Sequence, residues 1–133
     1  MEASKLLDLA IPFVEAGDIH QYKPIGIGAS DTFFSFTIPY NYIGFLSHLY
    51  CAYFSNSYVE WYIDNIFIEK IERIIGEIYN PFEFKPPFLV KKEIKLIGYN
   101  NDSSNHIFEA IIDGLAFPEA LARRRMIALL KTK

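Results

Sequence analysis

The sequence predicts an all-β protein, an antiparallel β-sandwich of jelly-roll-like form with a short C-terminal α-helix. Three observations predict it. One Trp, nine Tyr and twelve Phe make aromatics 17% of 133 residues, and such side chains suit pleated, half-buried surfaces. Apolar residues alternate with polar ones in several short runs separated by turn residues. No regular alternation of strand and helix supports a parallel α/β sheet. The length suits one domain with its own core, divided as an N-terminal arm (1–31), a sandwich domain (32–117) and a C-terminal helix (118–133).

The arm is the least regular part. Either Ser4 caps a brief helix through Leu9, or "AIPFVEAG" forms a strand. "QYKPIGIGAS" reads as extended and loop-like. "MEASKLLDLA" has no basic segment followed by a long apolar run, so a signal peptide is not expected.

From Thr32 to Val59 there is no Asp, Glu, Lys or Arg. The length would allow a membrane-spanning helix, but nine Ser, Thr, Asn or His residues interrupt the stretch, and Pro39 and Gly44 break a helix in its first half. Strands fit better. In "TFFSFTI", Phe34, Phe36 and Ile38 share one face, and Phe33, Ser35 and Thr37 the other. "IPYNYIG" supplies a turn. In "IGFLSHLYCAYF", Ile43, Phe45, Leu49, Cys51 and Tyr53 share a face opposite Leu46, His48, Tyr50 and Phe54. A strand apolar on both sides needs a second cover, from this chain or from another subunit.

"VEWYIDNIFIEKI" reads as a hairpin. Val59, Trp61 and Ile63 alternate with Glu60 and Tyr62, and Asp64-Asn65 tolerate the left-handed backbone of a two-residue turn. The strand continues to about Ile71. Helix and strand both fit 71–79, since Ile71, Ile74, Ile75 and Ile78 also match helical spacing. "YNPFEFKPPF" reads as a linker-like crossing, because Pro81, Pro86 and Pro87 exclude a central strand. In the next strand Ile94 and Leu96 oppose Glu93, Lys95 and Ile97, and "NNDSSN" is a polar loop. In "HIFEAIIDG", Phe108, Ala110 and Ile112 share a face, and Gly114 ends the strand. Pro118 then opens the terminal helix, with Glu119 in its first turn and Ala122, Met126, Leu129 and Leu130 on one face.

Charge is unevenly placed. Residues 119–133 hold Arg123, Arg124, Arg125, Lys131 and Lys133 against Glu119, a net +4 in a chain of net charge −3, so the rest carries −7. A basic end beside an acidic body suits docking onto a neighbouring subunit better than nucleic acid, which the body repels. Cys51, the single cysteine, excludes an internal disulfide framework and reads as a buried small hydrophobe.

No catalytic or metal motif emerges. His20, His48 and His106 lack partners at zinc-ligand spacing, apart from Asp18 two residues before His20, a pair that more often closes a turn. "GIGAS" (Gly26 to Ser30) lacks the full dinucleotide spacing and precedes a strand, so it reads as a flexible approach to that strand. Glu60 and Asp64 lie near Trp61 and Tyr62, a pattern seen at sugar sites and equally on the outer face of any exposed strand. No cofactor is expected.

Between Val59 and Pro118 the order of signals is a hairpin "VEWYIDNIFIEKI", then "IYNPFEFKPPFLVKKEI", a strand closing on "YNND", and "HIFEAIIDGLAFP". This order resembles small β-sandwich structural proteins of tailed-phage virions. The resemblance covers less than half of the chain. It implies a particle component that works by self-association, with no catalytic residues to carry over. The expectation is therefore a non-enzymatic structural protein of a virion head, neck or tail, or of the cytoplasm, with no membrane span. Its partners would be itself and other structural proteins. The expected interface comprises Phe45, Leu49, Tyr50, Tyr53, Phe54, Trp61, Arg123, Arg124, Arg125, Met126, Leu129 and Leu130. The alternative is a ligand- or carbohydrate-binding β-sandwich module.

Overall fold

A computed structural model describes residues 9–14, 20–77 and 80–122. Nine strands occur among them: β1 (Ile11–Pro12), β2 (His20–Ile25), β3 (Ser30–Thr37), β4 (Tyr42–Cys51), β5 (Ser57–Ile63), β6 (Ile66–Ile71), β7 (Phe82–Val90), β8 (Glu93–Asn100) and β9 (His106–Pro118). Every pairing is antiparallel. One sheet has the order β2–β9–β4–β7, with β1 pairing further along β9, and the other has β3–β8–β5–β6. Successive strands mostly switch sheets, which is the double Greek-key order of a jelly roll. The predicted all-β sandwich is the observed fold.

The core lies between the sheets. In β5 and β8 burial alternates at every residue, placing Val59, Trp61, Ile63, Ile94 and Leu96 inside, as their period-2 pattern predicts. Phe108, Ala110 and Ile112 of β9 face them across the sandwich, each at most 1% exposed. The Asp64-Asn65 turn is as predicted, with φ of 55° and 64°.

Two β-bulges overturn the predicted faces. Register shifts between Thr32 and Phe34, so Phe33 and Phe34 are both buried where strict alternation opposes them. A second shift falls between Leu46 and His48. It inverts the phase of β4, so Leu46, not Phe45, joins Leu49 and Cys51 in the core. A bulge adds one residue and swaps the faces beyond it.

Three boundaries also differ. The proline-rich crossing is a strand, β7, on the edge of its sheet, where Pro86 and Pro87 fall in the four residues skipped by the pairing with β4. An edge tolerates missing N–H donors. Gly114 does not end the last strand; β9 runs on to Pro118, and helical backbone begins at 119–122. The N-terminal segment is not a separate arm, because β1 and β2 hydrogen-bond to β9. The ambiguous stretch after Ile71 is neither helix nor regular strand in its described part; it bends, and Ile75 bridges to Cys51. Ser4, Asp18 and the terminal helix beyond Ala122 lie outside the described residues. No described helix is long and apolar enough to cross a membrane.

Candidate functional site

The jelly roll gathers its connections at two ends. At one end lie the β3–β4 turn, the β5–β6 turn and the β7–β8 turn. There the Asp64 carboxylate accepts hydrogen bonds from the backbone N–H groups of Lys91, Lys92 and Glu93, tying two turns together. Tyr40 stands at the tip of the β3–β4 turn, 91% exposed. Its backbone is fixed by the Tyr42 N–H donating to Pro39 O and by Asn41 at φ 65°.

At the other end, the β2–β3 turn closes through the Ala29 N–H to Gly26 O, and Gly28 donates to Asn100 O. "GIGAS" is thus a tight connection with no helix behind it. Asn100, fully buried, donates to Ile25 O and Ser104 O and accepts from the Asp102 N–H. His106 donates from Nε2 to Asp102 at 2.7 Å and stacks on Phe54, ring centroids 4.3 Å apart. That hydrogen bond, helped by the Ser103 N–H, holds the Asp102 carboxyl below its usual range. The cluster organises a loop; its polar groups bond each other rather than converging on open space.

The outer face of the β2–β9–β4–β7 sheet carries a serine–histidine–carboxylate grouping. His48 Nδ1 lies 3.0 Å from Ser47 Oγ and 3.4 Å from Asp113, and Nε2 lies 3.9 Å from Glu83. A nucleophilic triad needs serine and carboxylate on opposite ring nitrogens. Here Ser47 and Asp113 both address Nδ1 and the Ser47 hydroxyl donates to Asp113 O, while Glu83 stands 3.9 Å from Nε2, beyond hydrogen-bond reach. The group bridges β4, β7 and β9. Beside it Tyr50 donates to Glu109 at 3.0 Å, and burial, then that bond, pushes its phenol up to about 12. Burial likewise pushes the Cys51 thiol up to about 12, which removes it as a nucleophile.

The proposed sugar grouping is dispersed. Tyr62 donates to Glu60, Asp64 is committed to its turn, and Trp61 faces the core. On the outer face of the β3–β8–β5–β6 sheet, Tyr58 and Tyr99 stack 4.6 Å apart. Lys70 covers the Tyr58 ring at 4.2 Å and Lys95 lies 5.2 Å over Tyr62.

The predicted interface residues do not form one surface. Leu49 (1% exposed) and Trp61 (5%) belong to the core, because β4 and β5 turn them inward. Phe45 packs near Phe117 on an outer face, with Tyr50 on the same face and nearly buried. Tyr53 and Phe54 sit in the β4–β5 connection. Arg123, Arg124, Arg125, Met126, Leu129 and Leu130 lie outside the described residues.

A cleft opens where the edges of the two sheets, β6 and β7, part. It holds about 350 Å³, within the range of small-ligand sites. Leu49, Trp61 and Ile71 line it from the core side, Ile74, Phe82 and Phe84 from the edges, and Glu69 and Arg73 pair across 4.0 Å beside it. The Trp61 Nε1–H is enclosed, and no described residue accepts a hydrogen bond from it. Phe84 and Phe88 flank the indole with centroids 5.8 and 5.3 Å away. Sequence reasoning missed this cleft, since nothing in "IERIIGE" marks where two edges separate. The turn reading of "IPYNYIG" holds for the segment that carries the exposed Tyr40. No cluster of His, Cys, Asp or Glu able to hold a metal occurs among the described residues. No protein-family model matches this sequence, and no curated protein matches it.

Proposed function

We propose that this chain is a non-enzymatic structural protein that self-associates into an oligomeric assembly, with the head, neck or tail of a phage virion as its setting. The observation that carries the reading is the set of large apolar side chains left in solvent along one side. Edge strand β6 presents Ile66 (64% exposed) and Phe67 (51%), and beyond it stand Ile74 (61%) and Phe82 (50%). Burying such surface against a second molecule is favourable by about 25 cal/mol per Å². The edges differ in a way that supports this. β7 carries Pro86 and Pro87, and β3 carries Ser30, Asp31, Thr32, Ser35 and Thr37, whereas β6 opens on the apolar run Ile66, Phe67 and Ile68 and is protected only further along, by Glu69, Lys70 and a register shift. Jelly rolls serve capsids and lectins alike, so the fold does not choose between them.

Light scattering on the purified chain at micromolar concentration tests the reading. The expected mass is a multiple of 15.4 kDa; a monomer at that concentration overturns it. Capsid, portal or tail genes beside the coding sequence would supply the setting, and a metabolic operon would remove it. The carbohydrate-binding alternative has Tyr58, Tyr62 and Tyr99 in its favour. A stacked sugar needs a free ring face, however, and lysines or neighbouring rings lie over these. Binding on a glycan array would reverse the order of the two readings.

A further inference from the structure

We propose that Tyr58 and Tyr99 are an oxidative cross-linking site, where a one-electron oxidant joins β5 to β8 by a carbon–carbon bond between the two rings. Both residues belong to one chain, so the site exists whether or not the chain self-associates. They are direct partners in the antiparallel pairing of β5 with β8. Their rings stack with centroids 4.6 Å apart and planes 15° from parallel. Each is half-buried on the outer face of the sheet, within reach of a small diffusible oxidant.

The surroundings hold the pair and receive its protons. β6 and β8 flank β5 on opposite sides. Lys70 of β6 covers the Tyr58 ring at 4.2 Å, so that ring lies between an ammonium and the Tyr99 ring. Burial, then the nearby Glu60 carboxylate, holds the Tyr99 phenol above its usual range, so the neutral phenol meets the oxidant. A phenol that gives up an electron becomes a far stronger acid. Glu60, which also accepts from the Tyr62 hydroxyl, is the base beside it.

Each ring loses one electron and its hydroxyl proton, leaving two phenoxyl radicals. These couple between the Cε carbons next to each oxygen, and the two Cε hydrogens pass to the oxygens as aromaticity returns. Together the tyrosines lose two electrons and two protons; the hydrogen peroxide of a peroxidase takes both and leaves as two waters. Directly opposed residues of an antiparallel pair have Cβ atoms about 4.5–5.5 Å apart, a gap that two rings joined edge to edge can span. The χ2 torsion that turns each ring is broad. The bond ties together the two central strands of the β3–β8–β5–β6 sheet, and a covalent tie between residues distant in sequence restricts the unfolded chain.

Photo-oxidised ruthenium tris-bipyridyl, with persulfate as the electron acceptor, tests this on the full chain. The oxidised chain should run at monomer mass on a denaturing gel, carry the blue emission of dityrosine and weigh two hydrogens less. Digestion should release one peptide pair linked through residues 58 and 99, and the unfolding temperature should rise. Tyr58→Phe and Tyr99→Phe keep a ring in the stack and should each lose the within-chain link, whereas Tyr62→Phe should keep it. Matching circular dichroism melts before oxidation confirm that the variants fold. Dityrosine found only between chains overturns the inference. So does a within-chain link that survives Tyr58→Phe or Tyr99→Phe, or a Tyr58 and Tyr99 that take up oxygen without joining. The absence of any link at doses that consume the exposed Tyr40 overturns it equally. The denaturing gel separates links within a chain from links between chains, so the result stands apart from the self-association reading.

Discussion

At the scale of single residues, Phe13 decides what its neighbours can be. Its ring is 4% exposed and stacks on Phe36 with centroids 5.1 Å apart. A methyl group on Gly114 would lie 2.5 Å from that ring and 2.8 Å from the Phe45 carbonyl oxygen, closer than such atoms approach. Gly44, on the neighbouring strand, faces the same ring at 2.9 Å. The two glycines form a slot in the sheet that admits an aromatic ring. Gly114→Ala should therefore destabilise the fold by about 1–3 kcal/mol, the usual cost of overpacking, read from urea unfolding. Combining it with Phe13→Leu should recover part of the loss; equal stability of Gly114→Ala and parent would contradict the packing described. The sequence reading took Gly114 as a strand end, because a glycine stops a strand or receives a ring with the same letter. Residues 33 and 47 were illegible for a related reason. A bulge is one extra residue, and composition at that residue does not announce it.

At the scale of elements, turns, alternation and the β5–β6 hairpin were legible, and the other pairing partners were not. β5 and β8 show every buried position in their period-2 pattern, and Asp64-Asn65 sits where its backbone tolerance places it. β7 was hidden because prolines argue against a strand without saying which strand is an edge. The Asp64 turn has a role beyond its own hairpin, since its carboxylate serves three N–H groups from the β7–β8 turn. Asp64→Gly keeps the left-handed backbone and loses those bonds; Asp64→Ala loses both. The expected destabilisation is about 1–3 kcal/mol for the first and roughly 1–2 kcal/mol more for the second, measured by thermal unfolding. Equal losses would show that backbone conformation contributes nothing there.

At the scale of the whole molecule, one core joins both sheets. Trp61 of one sheet packs on Phe84 and Phe88 of the other. Phe33 of the first lies 6.2 Å from Phe108 of the second. Unfolding should accordingly be one cooperative event. Trp61 emission and far-ultraviolet dichroism should give the same midpoint in denaturant, and a gap between them would mean that the sheets separate before they melt. The candidate site was the least legible feature at this scale. A cleft exists only where two edges distant in sequence diverge, and the residues expected at an interface divide between core, outer face and connection. The turn that carries Tyr40 was readable, but the cleft required coordinates.

The strand order has a consequence for how the chain emerges from a ribosome. Among the nine strands only β5 pairs with its immediate successor in sequence, β6. β1, β2 and β4 all pair with β9, which comes last among the nine. Most of one layer must therefore wait, its Phe and Ile side chains unshielded, until translation reaches His106. Distant pairings of this kind form slowly, and nascent chains held open in this way recruit one another. Dependence on a chaperone during synthesis would thus be written into the topology.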